Sequence, residues 1–173
     1  VRNECKELLF VVEREADGRE PLVRCINFGL DGMQSFSFTL EEERSAVWVP
    51  AGQVGTYLYE PNASVLKAGA FKQIAVRTGV NKLQVNSHLY TSDHLVSDFP
   101  GRRFRVDEVL SFTGKLCKGL SKTIPQANIT VRNFPLSVEE LRKRTKITDG
   151  GHVYLFATTL VDGEKVLVKC SKA

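Results

Sequence analysis

The chain has 173 residues, of which 42% are hydrophobic and 25% are charged, as is ordinary for a globular protein. No apolar run approaches the length of about eighteen residues that a membrane-spanning helix needs. The first residues, Val1-Arg2-Asn3-Glu4-Cys5, are charged and lack an initiator Met. These features argue against a signal peptide and a membrane partner, and they suggest a fragment of a longer polypeptide.

The net charge of +4 is unevenly distributed. Residues 1–100 hold 10 Lys and Arg against 13 Asp and Glu, a net charge of −3, whereas residues 101–173 hold 14 against 7, a net charge of +7. A compact basic half favours a polyanionic partner, because cationic side chains that contact phosphates release condensed counterions. A basic surface kept only for solubility is the alternative.

The cysteines are Cys5, Cys25, Cys117 and Cys170, and none of them forms a C-x-x-C pair. Such scattered residues favour reduced, mostly buried thiols in a cytoplasmic protein over a disulfide framework or a zinc site.

Residues 1–50 are predicted to form a meander of three antiparallel strands, at 5–13, 22–28 and 35–40. Turns are predicted at 13–21 and 29–32. The run Glu41-Glu42-Glu43-Arg44 is predicted to be a solvated edge or a linker. With no helix of its own to cover it, the meander must dock onto the following segment or onto an upstream domain.

Residues 51–100 are predicted to form a small α/β unit. A strand at 54–61 ends at Pro61, Asn62 caps an amphipathic helix over 63–78 that Gly79 closes, and a strand follows at 82–90. The segment 91–101 is polar and rich in turn residues. We place a domain boundary at residue 100, where the charge balance changes sign.

Residues 101–173 are predicted to follow the order βαβαββ, a ferredoxin-like layout with an added hairpin. The strands are predicted at 102–112, 128–134, 152–160 and 165–170, and the helices at 113–124 and 137–146. Ser137 and Glu140 form a capping box, and Asp162-Gly163 indicates a tight primed turn between the last two strands. The predicted fold class is therefore α+β: N-terminal antiparallel strands and a small α/β unit, followed by the βαβαββ module.

Known catalytic and metal-binding patterns find little support. Thr113-Gly114-Lys115 lacks the upstream glycine of a phosphate-binding loop. His88, Asp93 and His94 are close in sequence, but no third strong ligand follows at the spacing of a metal site. We therefore predict no catalytic residue, cofactor site or metal site in this chain.

The basic surface is the remaining functional signal. We predict that RNA binds through ten residues of the C-terminal half: Arg102, Arg103, Arg105, Lys115, Lys118, Lys122, Arg132, Arg142, Lys143 and Arg144. Exposed aromatic residues that could stack on bases are few, which favours recognition of the backbone and shape of a folded RNA. Lysines and arginines late in a helix also complement its dipole, which is a structural alternative for the last three.

Several long runs resemble a bacterial protein family. They are TYLYEPNASVLKAGAF (56–71), NSHLYTSDHLVSDFPGRRFRV (86–106), NITVRNFPLSVEELRKR (128–144) and GGHVYLFATTLVDGEKVLVKC (150–170). The family consists of class I S-adenosylmethionine-dependent methyltransferases that carry a ferredoxin-like segment and a C-terminal THUMP-like domain.

This resemblance implies that residues 1–50 are the tail of an upstream catalytic domain, 51–100 a ferredoxin-like segment and 101–173 a basic THUMP-like module. The glycine-rich loop that holds the methyl donor has no counterpart in this sequence. The resemblance therefore implies that S-adenosylmethionine is bound by the parent protein, and that this chain recognises an RNA substrate, rRNA or tRNA, for the catalytic domain of the same polypeptide. The alternative is a structural or dimerisation module without nucleic-acid contact.

Overall fold

A computed structural model describes residues 4–14, 18–29 and 32–173 of the chain. The nine strands of these residues are β1 (Leu22–Gly29), β2 (Gly32–Thr39), β3 (Tyr57–Pro61), β4 (Asn81–Lys82), β5 (Tyr90–Ser92), β6 (Gly101–Ser111), β7 (Asn128–Arg132), β8 (Tyr154–Thr159) and β9 (Lys165–Lys172). The five helices are α1 (Leu40–Ser45), α2 (Ala63–Ala68), α3 (Gln73–Thr78), α4 (Gly114–Thr123) and α5 (Val138–Thr145). The α+β prediction is confirmed, and the order βαβαββ is present from β6 to β9.

The strands form a two-stranded hairpin, β1–β2, and a seven-stranded sheet in the order β4-β5-β3-β6-β9-β8-β7. Among the nine described strands, only β7 and β8 pair in parallel, as expected for strands joined through a helical crossover. The long strand β6 joins the two halves of the sheet, because it pairs with β3 on one side and with β9 on the other.

Alternation along the strands divides the sheet into two faces. On one face, Leu58, Phe104, Phe156 and Val168 belong to a single core cluster. On the other, α4 and α5 cover a cluster that includes Leu155, Ala157 and Leu167. Tyr59 and Ile74 belong to the core beneath α2 and α3.

The N-terminal prediction is partly wrong. Residues 5–13 form no strand, and the side chains of Leu8 to Val12 are 65–90% exposed, because no described segment pairs with them or covers them. The hairpin docks onto the following segment through Cys25, Phe36 and Phe38, which are in the same core as Tyr59 and Ile74. The turns predicted at 13–21 and 29–32 lie partly outside the described residues.

The run Glu41–Arg44 is helical and bonded rather than a solvated linker. Thr39 and Glu42 form a capping box that starts α1, and Glu43 accepts hydrogen bonds from the backbone N–H of Lys72 (2.9 Å) and of Gln73 (2.8 Å). The acids therefore satisfy free N–H groups at the start of two helices.

The helix predicted over 63–78 is interrupted. Gly69 adopts a left-handed φ of +79° and ends α2, and α3 begins four residues later. The strand predicted over 82–90 is likewise two short strands joined by a reversal, in which His88 has a φ of +50°. The shared cause is local backbone geometry, which hydrophobic spacing does not encode.

The last hairpin closes through a longer loop than a tight primed turn. The N–H of Leu160 donates to the carbonyl of Glu164 (2.8 Å), so three residues lie between them, and Gly163 takes the left-handed conformation with a φ of +89°. This is the geometry of a three-residue hairpin loop with glycine at its last position.

Candidate anion-binding surface

A buried carboxylate organises the polar residues on the concave side of the sheet. Glu60, on β3, is 0% exposed, and both of its oxygens are bonded by arginines. Arg102 donates through Nε (2.8 Å) and Nη2 to Oε2, and Arg132 donates through Nε (3.1 Å) and Nη2 (2.8 Å) to Oε1. We call these three residues the Glu60 cluster. It has a net charge of +1.

The Glu60 cluster requires a strongly curved sheet. Three strands lie between β3 and β7, so at about 4.8 Å per strand the two are roughly 19 Å apart along the sheet. Arg132 at the end of β7 nevertheless contacts Glu60 on β3. The face that carries Phe104 and Phe156 is therefore concave, which also brings these two rings to 4.8 Å although β9 separates their strands.

The connection between β4 and β5 reaches the same region. Asn133, immediately after β7, donates from Nδ2 to Oε1 of Gln84 (2.9 Å), and its own backbone has a positive φ of 51°. His88, four residues after Gln84, stacks on Phe71 with ring centroids 3.8 Å apart. Gln84 thus links the β4–β5 connection to the end of β7, and Glu60 links β7 to β3.

Two buried polar atoms remain unpartnered among the described residues: His88 Nδ1 and Thr158 Oγ1. Thr158 is 0% exposed, is the register partner of Arg132 across the parallel β7–β8 pair, and so shares its face of the sheet. An unsatisfied buried hydroxyl costs about 1–3 kcal/mol. Such a group calls for a partner such as a water, an ion or a ligand.

The electrostatic environment of this region is positive. Burial, followed by the charges of Lys82 and Arg132, lowers the pKa of His88 to about 4, so the ring is neutral at pH 7. Burial also lowers the pKa of Lys82 to about 8. The Lys82 ammonium donates to the carbonyl of Val85 (2.8 Å) and lies 5.2 Å from the centre of the Phe71 ring.

Each arginine of the Glu60 cluster keeps donors available for a ligand. Both use Nε and Nη2 for the carboxylate, and neither Nη1 has a hydrogen-bond partner within residues 4–14, 18–29 and 32–173. The side chains of Arg102 and Arg132 are 41% and 34% exposed. Glu60 fixes the orientation of both guanidinium groups from their buried side.

A second basic region is formed by α4 and α5 on the opposite side of the sheet. Five predicted RNA-binding residues are exposed there, and we call them the helical basic surface: Lys115, Lys118, Lys122, Lys143 and Arg144. Helix α4 contains no acidic residue, and α5 has acids only in its first turn, at Glu139 and Glu140. The positive charge is therefore concentrated along α4 and the second half of α5.

The other three predicted RNA-binding residues are dispersed. Arg103 and Arg105 alternate with Arg102 along β6 and so lie on its opposite face, where Arg103 donates to the carbonyl of Ser97. Arg142 pairs with Asp149 and donates to the carbonyl of Ala127 (3.3 Å), contacts that hold the end of α5 against the next loop. The structure thus brings together Arg102 with Arg132, and separately the residues of the helical basic surface.

Sequence reasoning overlooked the role of Glu60. The one sequence feature that could have revealed this role is the position of Glu60 in the otherwise apolar strand YLYEP, which indicates a buried and paired charge. The interpretation of Asn62 as a helix cap is confirmed, since its Oδ1 accepts a hydrogen bond from the N–H of Val65 (3.2 Å).

None of the strand-to-helix connections among the described residues is rich in glycine, and arginines occupy both oxygens of Glu60. No group of three or more His, Cys, Asp or Glu residues in the described part of the chain could hold a metal ion. No helix among these residues is long and apolar enough to cross a membrane.

The thiols are unpaired in the described residues. Cys25, Cys117 and Cys170 are buried, whereas Cys5 is exposed. Burial raises the pKa of Cys25 to about 11, so this thiol is protonated and unreactive at neutral pH.

Comparison with known proteins matches two adjoining regions. Residues 57–100 match the model of a ferredoxin-like domain, and residues 101–172 match that of a THUMP domain-like family. No curated protein is similar enough to count as a match.

A solved structure is also similar to this chain: the crystal structure of a "putative methyltransferase" from Porphyromonas gingivalis. It shares 48% sequence identity and a TM-score of 0.84, over 88% of this chain. The match spans only 38% of the P. gingivalis chain, so it relates this chain to part of a longer protein. From Tyr57 to Lys172, the chain therefore consists of a ferredoxin-like region followed by a THUMP-like region, and it is related to a protein described as a methyltransferase.

Proposed function

We propose that this chain is the C-terminal substrate-recognition region of an S-adenosylmethionine-dependent RNA methyltransferase. The observation that carries the proposal is the helical basic surface, where five exposed cations face solvent on two adjacent helices. Similarity to the P. gingivalis protein and the THUMP-like match support the association with methyl transfer. In this proposal the chain itself is not catalytic and accelerates the reaction by orienting RNA against the catalytic domain.

The upstream catalytic domain is the proposed intramolecular partner. The outer face of the β1–β2 hairpin exposes four large apolar side chains: Leu22, Ile26, Phe28 and Met33. The segment before the hairpin exposes a further apolar run, from Leu8 to Val12. Contiguous exposed apolar residues of this kind mark interaction surfaces. The greater length of the P. gingivalis chain supports a domain of the same polypeptide as the group that covers them.

RNA binding is tested by the salt dependence of affinity. Five phosphate contacts predict a slope of log K against log salt concentration of roughly −3.5 to −4.5. Replacing Lys115, Lys118 and Lys122 by Gln should make this slope shallower by about 2–3, measured by filter binding to a structured RNA. Lys67→Gln, on the exposed side of α2, is the matched control and should leave the slope unchanged.

A slope that the triple substitution does not alter would reject the helical basic surface as the RNA contact. The apolar hairpin face favours one alternative, a structural or dimerisation module. In that case the chain would sediment as a dimer that Phe28→Ser disrupts, and it would bind no RNA even at low salt.

A further inference from the structure

We propose that the Glu60 cluster, with Thr158 beside it, forms a binding site for one phosphate group on the concave side of the sheet. The ligand is a phosphate of an RNA backbone or a free phosphate or phosphomonoester. The site is separate from the helical basic surface, and the inference rests on the proposed function only where RNA supplies the phosphate.

The first argument is charge. Glu60 is fully buried and neutralises one of its two arginines, so the cluster retains one positive charge close to the protein interior. Lys82 acts electrostatically on His88 together with Arg132 of the cluster, so one further cation lies in the same region, with Glu43 as the acid that acts on it. An anion bound here would compensate charge that the protein's own acids leave uncompensated.

The second argument is the geometry of the donors. Glu60 binds each guanidinium along the same edge, Nε and Nη2, and this fixes the planes of both groups before a ligand arrives. The Nη1 donors of Arg102 and Arg132 have no hydrogen-bond partner among the described residues, and the two side chains are 41% and 34% exposed. Arginines held in this way lose little side-chain entropy on binding, and their planar donors suit the oxygens of phosphate.

The third argument is the unpartnered hydroxyl of Thr158. Its side chain shares the face of its register partner Arg132 and is fully buried, yet its Oγ1 lacks a hydrogen-bond partner in the described residues. Two guanidinium donors and a hydroxyl suit an anion with several oxygens, and arginine is the preferred residue for phosphate recognition.

Thr158→Val provides the sharpest test, because it removes the hydroxyl while keeping the shape of the side chain. This hydroxyl has no partner in residues 4–14, 18–29 and 32–173, so the variant should unfold at the same temperature as wild type or higher. If the hydroxyl bonds a phosphate, affinity should fall about tenfold or more. Thr148→Val, whose hydroxyl donates to the carbonyl of Pro125 in a distant loop, is the matched control.

The probes are inorganic phosphate, adenosine 5′-monophosphate and a structured RNA, each measured by isothermal titration calorimetry on the full chain. Arg132→Lys keeps the positive charge, but a lysine cannot bind Glu60 and also present a second donor edge. This variant should therefore weaken the binding of whichever probe Thr158→Val weakens. Circular dichroism melting verifies that each variant is folded.

The outcomes separate the two sources of phosphate. Binding of inorganic phosphate or of the monophosphate that Thr158→Val weakens and Thr148→Val does not would support a site for free phosphate groups. Binding of RNA alone, weakened by Thr158→Val, would support a contact to the RNA backbone. If Thr158→Val changes the affinity for none of the three probes, the inference is overturned and the two arginines only hold the sheet together. If the triple lysine substitution on α4 leaves the salt dependence of RNA binding unchanged, the helical basic surface is rejected as the RNA contact, and the conclusion about the Glu60 cluster is not affected.

Discussion

His88 is held in an environment that opposes its protonation. Its backbone has a positive φ, its ring stacks on Phe71, and burial together with nearby positive charge lowers its pKa from 6.5 to about 4. A positive φ is uncommon outside glycine, although histidine is among the residues enriched there. The position therefore combines an unusual backbone conformation with an electrostatic cost.

We expect His88 to make the stability of the protein dependent on pH below neutrality. Because its folded pKa is lower than its unfolded value, the unfolded state binds more protons between pH 4 and 6.5. The contribution of a neutral His88 is complete above about pH 6.5 and is lost as the pH falls towards 4. Urea denaturation measures the free energy of unfolding at pH 4.5 and at pH 6.5. The difference between these two values should be smaller for His88→Asn than for wild type, and Asn tolerates the positive φ.

An unchanged difference between the two pH values in His88→Asn would contradict this prediction. Nuclear magnetic resonance titration of the His88 ring provides an independent measurement, since its midpoint should lie near pH 4.

At the scale of elements, hydrophobic periodicity predicted every unit from β6 to β9 in the correct order. Caps and turn residues such as Ser137 and Asn62 placed the starts of α5 and α2 correctly. Periodicity failed where backbone geometry or a distant partner decides the structure. Gly69 interrupts a helix whose apolar spacing continues without a break, and Leu8 to Val12 has the composition of a buried strand but no partner in the described residues.

The candidate site was predictable only in part for the same reason. The sequence identified Arg102 and Arg132 as basic residues, but their meeting at Glu60 depends on the curvature of a sheet in which three strands separate β7 from β3. Local sequence patterns do not encode that curvature. The exposure of the lysines on α4, in contrast, follows directly from helical spacing and was predicted.

The interruption at Gly69 can be tested at this scale. Gly69→Ala has room for its added methyl group, but an L-residue in the left-handed conformation is strained. We expect a loss of about 1–2 kcal/mol in the free energy of unfolding. Gly119→Ala, within α4 where the backbone is helical and the space is also open, is the control and should be neutral or stabilising. A stabilised Gly69→Ala variant would mean that α2 and α3 can join into one helix.

At the scale of the whole molecule, the buried carboxylate of Glu60 on β3 stabilises the curved sheet by pairing with Arg102 on β6 and with Arg132 on the edge strand β7. Glu60→Gln keeps the shape of the side chain but leaves two arginines without their buried counterion. We expect a loss of about 2–3 kcal/mol, below the range for fully buried pairs because both arginines are partly exposed. Equilibrium denaturation by guanidinium chloride at pH 7 measures it.

Glu41→Gln is the matched control for that substitution. Its carboxylate pairs with Arg44 on the surface, where both side chains are well exposed, so removal should change stability by less than about 0.5 kcal/mol. Equal effects of the two substitutions would show that Glu60 contributes no more than a surface ion pair.

Glu60 lies in the ferredoxin-like match and its two arginines lie in the THUMP-like match, although the sequence families meet between residues 100 and 101. A homologous region could replace either one only if it supplied the matching charge, an acid at Glu60 or the bases at Arg102 and Arg132. Cleavage of the polypeptide at that junction would leave Glu60 without its arginine partners in one piece and Arg102 and Arg132 without their carboxylate in the other. We therefore expect the two regions to fold and to be expressed as one unit, although the two family matches meet at this point.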